Sequence, residues 1–570
     1  MADTVTRPAG TAAAAAEDAP DPRRWIALAV VLTAAFMVLL DISIVNVAIP
    51  SIQRNLNASF GQVQLVLAGY QLAYAVVLIT GGRLGDIYGR KRLFMTGMAG
   101  FIVASAACGF ARSADMLVVS RVIQGLMAAL MFPQVLSVVQ VVFPPRERAA
   151  AFGAFGAVIG VATITGPLMG GLLIGSSTAD TERWRWIFLV NVPVGIAALA
   201  AATFLLNESR APRARRLDIV GMVLVSAGLG LLTYPLVEGR DQGWPAWSFV
   251  MLGASLPVLV AFVLYERAKT RRDGSPLVEL SMFRDPAFRT GTILSGIFLT
   301  AIPAFFLTFS ITLQIGVGFS ALRTGLTTVP WSLGTSVSSA LSVRLAPRLG
   351  KRLLSVGCLM LALGVLGVVV TVHQRGPSLM GPELIPALLF SGLGMGCIIA
   401  PITNIILASI HHGDAGSASG VLTTTQQVGG ALGVAVIGVI FFGLLSSRAG
   451  TVADQVLPQL RAQLAAQHLP AGAIARAEQG FRVCFHDRAA ENDPSVTPPS
   501  CAALQQGGSN PAVAAAFNTT GTTARQTVFV QALERSLFYC IGVFVVSFLL
   551  VFLLPRPARR EGMPAAAAPH

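Results

Sequence analysis

Two charged side chains stand where charge is expensive. Asp41 lies in an apolar run that begins at Trp25 and continues through Ile42, Ile44, Val45, Val47, Ala48 and Ile49 to Pro50; Arg121 lies inside another, between Asp115 and Val142. A carboxylate well inside a membrane-length helix costs roughly 3 kcal/mol or more, so it faces a polar interior rather than lipid. At about 1.5 Å per residue, Asp41 falls ~12 Å from one end of its run and Arg121 ~9 Å from the matching end of its own. The two opposite charges therefore sit at similar depth, where they can pair. Protonating the acid, or binding a cation, weakens such a pair, and that is the chemistry of an ion-coupled gate. Two plainer arrangements compete: a span ending at Leu40 that leaves Asp41 in water, and an ion pair that only holds helices together.

The elements that position these charges follow from composition. With 54% hydrophobic and 12% charged residues in 570, and a mean hydropathy of +0.69, the chain reads as an all-α polytopic membrane protein. Apolar runs predict about 14 transmembrane helices, over 25–49, 62–81, 93–112, 115–142, 149–175, 186–206, 218–238, 246–266, 290–313, 323–343, 353–373, 383–410, 415–445 and 535–554. The formal charge of +14 does not indicate nucleic acid, because the basic residues sit in short loops between apolar spans. About 25 of them, including Arg90, Lys91, Arg92, Arg348, Lys351 and Arg352, fall on one side against about 7 on the other, which predicts a cell-membrane protein with both termini cytoplasmic.

An internal repeat divides the chain. The segment from Arg83 to Lys91 is echoed by Arg344 to Arg352, and Gly125 to Pro133 by Gly394 to Pro401. Two six-helix bundles with an inserted helix pair result. The expected parts are a cytoplasmic tail at 1–24, a six-helix bundle at 25–206, and the inserted pair at 207–272. The first five helices of a second bundle follow at 273–445, then an extracellular loop at 446–534, a last helix at 535–554 and a tail at 555–570. Within the loop, 452–479 has the composition of amphipathic helices. Cys484 and Cys501 also lie there, where an oxidising exterior favours a disulfide, whereas Cys108, Cys358, Cys397 and Cys540 fall in apolar spans. The fifth helix carries Gly153, Gly156, Gly160, Gly166, Pro167, Gly170 and Gly171, spacing that lets helices approach closely, with a proline kink.

Several motifs together resemble one family. Gly82-Arg83-Leu84-Gly85-Asp86-Ile87-Tyr88-Gly89-Arg90-Lys91-Arg92 resembles the signature loop of the major facilitator superfamily. The run from Leu40 to Pro50, Arg121 with Gln124 and Gly125, and Gly166-Pro167-Leu168-Met169-Gly170-Gly171 resemble motifs of its fourteen-helix drug:proton antiporter branch. Trp184-Arg185-Trp186-Ile187-Phe188 and Asn191-Val192-Pro193 are similar to it as well. The resemblance implies alternating access driven by a proton gradient, without a cofactor, exporting hydrophobic, cationic drugs and toxic compounds. A dedicated exporter of one endogenous lipid, siderophore or antibiotic is the alternative. By the same resemblance Asp41 binds the proton and Arg121 couples it to access. Asp86 and Arg90, with Gly82 and Gly89, latch the cytoplasmic side near the start of the thirteenth helix, where a carboxylate meets a helix N-terminus.

Polar side chains that could line the cavity are Gln71, Gln124, Asn191, Gln314, Asn404, Gln426 and Gln427, with Tyr70 and Trp331 as aromatic surfaces. The other acids, among them Asp115, Asp218, Glu238, Glu383 and Glu534, lie near span ends, so a second deeply buried cation site is not expected. Hydrophobic small molecules and the bilayer are the expected partners, and the transporter is expected to be a monomer. An enzyme or primary pump is not expected: the chain has no Gly-x-x-x-x-Gly-Lys-Ser/Thr loop, and His411 and His412 with Asp414 are too few ligands for a metal site.

Overall fold

The computed structural model describes residues 22–555 except 59, 175–181, 211–217, 240–241, 273–275, 409, 411–413, 491–497 and 502–510. Regular structure among the described residues is helical throughout. In chain order the long helices are α1 Arg24–Leu56, α2 Phe60–Tyr88, α3 Arg90–Gly109, α4 Ala114–Val142, α5 Pro145–Ile174, α6 Asn191–Leu205, α7 Ile219–Glu238 and α8 Ala246–Arg272. They are followed by α9 Pro286–Ile311, α10 Ala321–Leu349, α11 Lys351–Arg375, α12 Ile385–Ala408, α13 Ala415–Ala465, α14 Ala471–Ala490 and α15 Pro511–Val551. Twelve helical segments among the described residues are long and apolar enough to cross a membrane. The helices α5 and α10, of 30 and 29 residues, pack between them.

Local chemistry sets many of the ends. Ser113 caps α4 by accepting from the Met116 N–H, Asp285 caps α9 ahead of Pro286, and Ser320 caps α10. The repeat seen in the sequence recurs as geometry. Gly89 (φ 112°) joins α2 to α3, and Gly350 (φ 53°) joins α10 to α11, a backbone region that glycine enters without penalty.

The first bundle packs α1 against α5 and α2 and α3 against α4; the second packs α10 and α11 against α12, and α9 and α15 against α13. They meet along α5–α10 and α2–α13. On the first seam, a Cβ added at Gly156 or Gly160 would crowd Ser339 or Ser336 of α10, so these positions are small because two backbones cross there. The pair α7–α8 lies outside the bundles, with α7 docked on both α2 and α13. Large apolar side chains face outward, as in Phe204, 83% exposed, and Leu256, 67% exposed; a lipid surround satisfies them.

Two expectations about helix ends are corrected. Pro50 does not end the first helix: α1 continues to Leu56 and stops at Asn57, whose φ of 47° is the left-handed C-cap. Asp41 is consequently near the middle of the helix. Residues 446–534 are also not chiefly loop, because α13 runs on to Ala465, α14 follows, and α15 begins at Pro511. Hydropathy marks where lipid ends; the helices extend past that point because they pack on one another, burying Val452, Val456, Leu460, Phe481 and Ala524. Arg461 pairs with Glu478 across this helical head (2.7 Å), and Cys484 is bonded to Cys501, with Cα atoms 4.7 Å apart.

Candidate functional site

Asp41 and Arg121 touch. Arg121 Nη1 donates to Asp41 Oδ2 at 2.5 Å, and the two side chains are 1% and 0% exposed. Neither charge is left to a single partner. Gln124 Nε2 (3.0 Å) and Asn191 Nδ2 (3.3 Å) donate to Asp41 Oδ1, while Arg121 Nε donates to the Val66 carbonyl (3.1 Å) and Nη1 also to Gln124 Oε1 (2.8 Å). Ser105 Oγ accepts from Gln124 and Asn191, each at 3.2 Å, and donates to the Phe188 carbonyl. The guanidinium lies 4.2 Å from the centre of the Tyr70 ring, a cation–π contact. Side chains from α1, α2, α3, α4 and α6 thus close one polar island inside the first bundle.

The surroundings define what this island can do. A buried ion pair persists when other hydrogen bonds support both charges, as Val66, Gln124 and Asn191 do here; removing one charge leaves the other desolvated and uncompensated. A proton delivered to Asp41 would do that reversibly. Arg121 would keep Val66, Gln124 and Tyr70 but lose its countercharge.

This geometry reassigns three cavity candidates. Tyr70, Gln124 and Asn191 are buried in the island instead of lining open space. Helix rotation, which residue type does not reveal, turns them toward Asp41. Gln427 hydrogen-bonds Tyr74 across the α2–α13 seam, and Gln426 donates to Ser295 of α9 at 2.9 Å. Gln71 is exposed, Asn404 half-buried, and Gln314 exposed, donating to Ser310. Trp331 is buried and stacked on Phe305, ring centres 4.9 Å apart. Sequence reasoning missed Ser105 and the Val66 carbonyl; a serine in an apolar helix is common, and a carbonyl carries no signal.

A second cluster lies at the end of the bundle that carries the basic loops. Asp86 is fully buried, paired with Arg90 (2.6 Å), and accepts the backbone N–H groups of Gly416 (3.1 Å) and Ser417 (3.0 Å) in the first turn of α13. The carboxylate caps a helix N-terminus, where unsatisfied N–H groups favour negative charge. Gly82 permits the approach, because a Cβ there would overlap the Gly416 carbonyl. Gly89, in its left-handed conformation, turns the chain so that Arg90 returns to Asp86. Three further bonds tie α4 to the second bundle: Ser137 to Ser419 (2.9 Å), Ser419 Oγ to the Pro133 carbonyl (3.1 Å) and Gln140 to the Leu407 carbonyl. In this structure the basic end is closed. His411, His412 and Gly413 lie outside the described residues.

Along α5, a Cβ on Gly166 would overlap the Ser43 side chain of α1, and Gly171 stands opposite Leu322 of α10. Gly170 is buried, and the helix continues through Pro167 to Ile174. The motif therefore borders both the helix that carries Asp41 and the facing bundle.

Comparison with known proteins agrees with this arrangement. Residues 31–434 match the family model described as Major Facilitator Superfamily. The chain is 43% identical over 557 residues to "Probable actinorhodin transporter" of Streptomyces coelicolor, covering 97% of this chain and 95% of that protein. It is 36% identical to "Puromycin resistance protein pur8" of Streptomyces alboniger (75% and 84% covered) and 37% to "Tetracenomycin C resistance and export protein" of Streptomyces glaucescens (75% and 77%). Among solved structures, the human organic anion transporter MFSD10 aligns with a TM-score of 0.55 at 14% identity, covering 93% of this chain and 100% of its own, a likeness of fold.

Proposed function

We propose, from the premise that this chain belongs to the major facilitator superfamily, that it exports hydrophobic drugs or antibiotics across the cell membrane in exchange for protons. The observation that carries the reading is the buried Asp41–Arg121 pair. It is an acid whose protonation has a mechanical consequence, placed on α1, which touches α5 of the inter-bundle seam. In this reading the chain crosses the membrane fourteen times, with both termini and the basic end in the cytoplasm, by the excess of Lys and Arg there.

The structure then corresponds to the state closed toward the cytoplasm. A proton arriving at Asp41 frees Arg121 from its countercharge, the island loosens, and the bundles rock about the α5–α10 seam. Asp86 must withdraw from the first turn of α13 for the cytoplasmic side to open, and Arg90 keeps its charge paired meanwhile. The energy comes from the proton gradient.

A second reading, export of one dedicated antibiotic-like product, is favoured by one observation. The match to the Streptomyces coelicolor protein covers nearly the whole chain, helical head included, whereas the matches to the puromycin and tetracenomycin proteins cover about three quarters of it. Proteoliposomes under an imposed pH gradient separate the readings. Several lipophilic cations releasing protons in the parent and none in Asp41→Asn support broad antiport; one neutral or amphiphilic compound alone supports the dedicated exporter. Transport undiminished in Asp41→Asn at every pH would sink the proton assignment.

A further inference from the structure

The inserted pair holds a buried pair of acids that lies apart from Asp41, although Asp218 reads from the sequence as an acid near a span end. Asp218 and Glu266 are 3% and 0% exposed. Asp218 Oδ1 caps α7, accepting the Gly221 N–H (2.9 Å) and the Tyr265 hydroxyl (3.1 Å), with Lys269 Nζ at 3.9 Å. Glu266 Oε2 accepts the N–H of Val278 (3.0 Å) and is joined by that of Leu277. The remaining two oxygens, Asp218 Oδ2 and Glu266 Oε1, have no hydrogen-bond donor among the described residues. Both converge on one place: they lie 2.7 Å and 2.5 Å from the point that a Cβ on Gly221 would occupy.

Two desolvated carboxylates aimed at each other repel when both are ionised, and a single proton turns the repulsion into an O–H···O bond. We propose that Asp218 and Glu266 form a second proton-binding site, one proton shared between Asp218 Oδ2 and Glu266 Oε1, that stabilises closure of the basic end. The route to that closure is a series of direct contacts. Glu266 holds the backbone at Leu277 and Val278; the Leu277 carbonyl accepts from Ser417 Oγ (3.2 Å); the Ser417 N–H donates to Asp86. With the proton in place the connector is drawn onto α8 and stays seated on α13. Without it, repulsion pushes Glu266 and its backbone partners from α7. Among the described residues, the charged and titratable groups in contact with the site are Tyr265 and Lys269 on α8; Asp86 on α2 and Arg90 on α3 are reached through Ser417. The site lies on the inserted pair, outside the bundle that holds Asp41, and it stands whether or not the chain is an antiporter.

The test uses the full-length protein in detergent without substrate, as parent, Glu266→Gln and Asp218→Asn. Each amide supplies an N–H where the proton would be, and Asn keeps the α7 cap, so one variant serves if the other does not fold. Infrared difference spectra across a pH titration are expected to show in the parent a protonated-carboxyl stretch at neutral pH that is lost in both variants. Hydrogen exchange of the 277–278 and 416–417 amides, corrected for intrinsic rate, is expected to lose protection as pH rises in the parent and to be flat in the variants. A carboxyl band that survives in both variants, or protection that follows one pH course in all three proteins, overturns the proposal.

Discussion

The polar island makes a quantitative prediction for a double-mutant cycle between Asp41→Asn and Arg121→Gln. At a charge separation of about 4 Å and an effective dielectric near 20, the pair is worth roughly 4 kcal/mol. Either single change leaves one charge desolvated. Loss of a buried partner ordinarily costs about 3–5 kcal/mol. The low end applies here, because Arg121 retains the Val66 carbonyl, Gln124 Oε1 and the Tyr70 ring, and Asp41 retains Gln124 and Asn191. Each single variant should therefore lose about 3 kcal/mol of stability. The double variant has no orphaned charge, since Asn and Gln can hydrogen-bond each other and the same neighbours, so it should also lose only about 3 kcal/mol, a coupling of roughly 3 kcal/mol. Denaturant titration in mixed micelles provides the measurement. Trp184, fully buried and donating to Asn55 at 3.1 Å, supplies a fluorescence signal near the site. Losses that add to within about 0.5 kcal/mol would mean that the charges do not sense each other, and the proton-coupling mechanism would lose its physical basis.

Other perturbations read other parts of the argument. Gly82→Val drives a side chain into the Gly416 carbonyl, so labels on α2 and α13 at the basic end should move apart, and transport should fall while the protein stays folded. Gly89→Ala meets a φ of 112° and the Glu208 carboxylate; it should lower stability by about 1–2 kcal/mol and weaken the Asp86–Arg90 contact, seen as faster amide exchange in the first turn of α13. Cys484→Ser with Cys501→Ser removes a closure of 17 residues, worth about 3 kcal/mol by loop entropy, and should raise hydrogen exchange in α14 while leaving α1 to α6 unchanged.

Much of this protein was legible in the chain alone, for a definite physical reason. Lipid cannot hydrogen-bond a backbone, so a run of apolar residues long enough to cross it has to be helical. Asp41 and Arg121 stood out because each carries charge into such a run. The repeat from Arg83 to Lys91 and from Arg344 to Arg352 announced two similar bundles, and a glycine of positive φ, at 89 and at 350, joins the corresponding helices in both. Asp86 was readable as a cap because a carboxylate and a helix N-terminus attract wherever they are brought together.

Tertiary structure decided the rest. Hydropathy registers the edge of the lipid, not the end of a helix, which is why α1 passes Pro50 and α13 and α15 extend into a packed head. In spans apolar on nearly every side, periodicity does not reveal which face turns inward, so only the packing shows Gln124, Asn191 and Tyr70 closing around Asp41. Glu266 is only the last residue of an apolar run in the sequence, and in the fold α7 and the backbone at 277–278 cover it. Its environment comes from residues 11 to 48 positions away, and such long-range burial, unlike apolar length or the spacing of a motif, has no local signature.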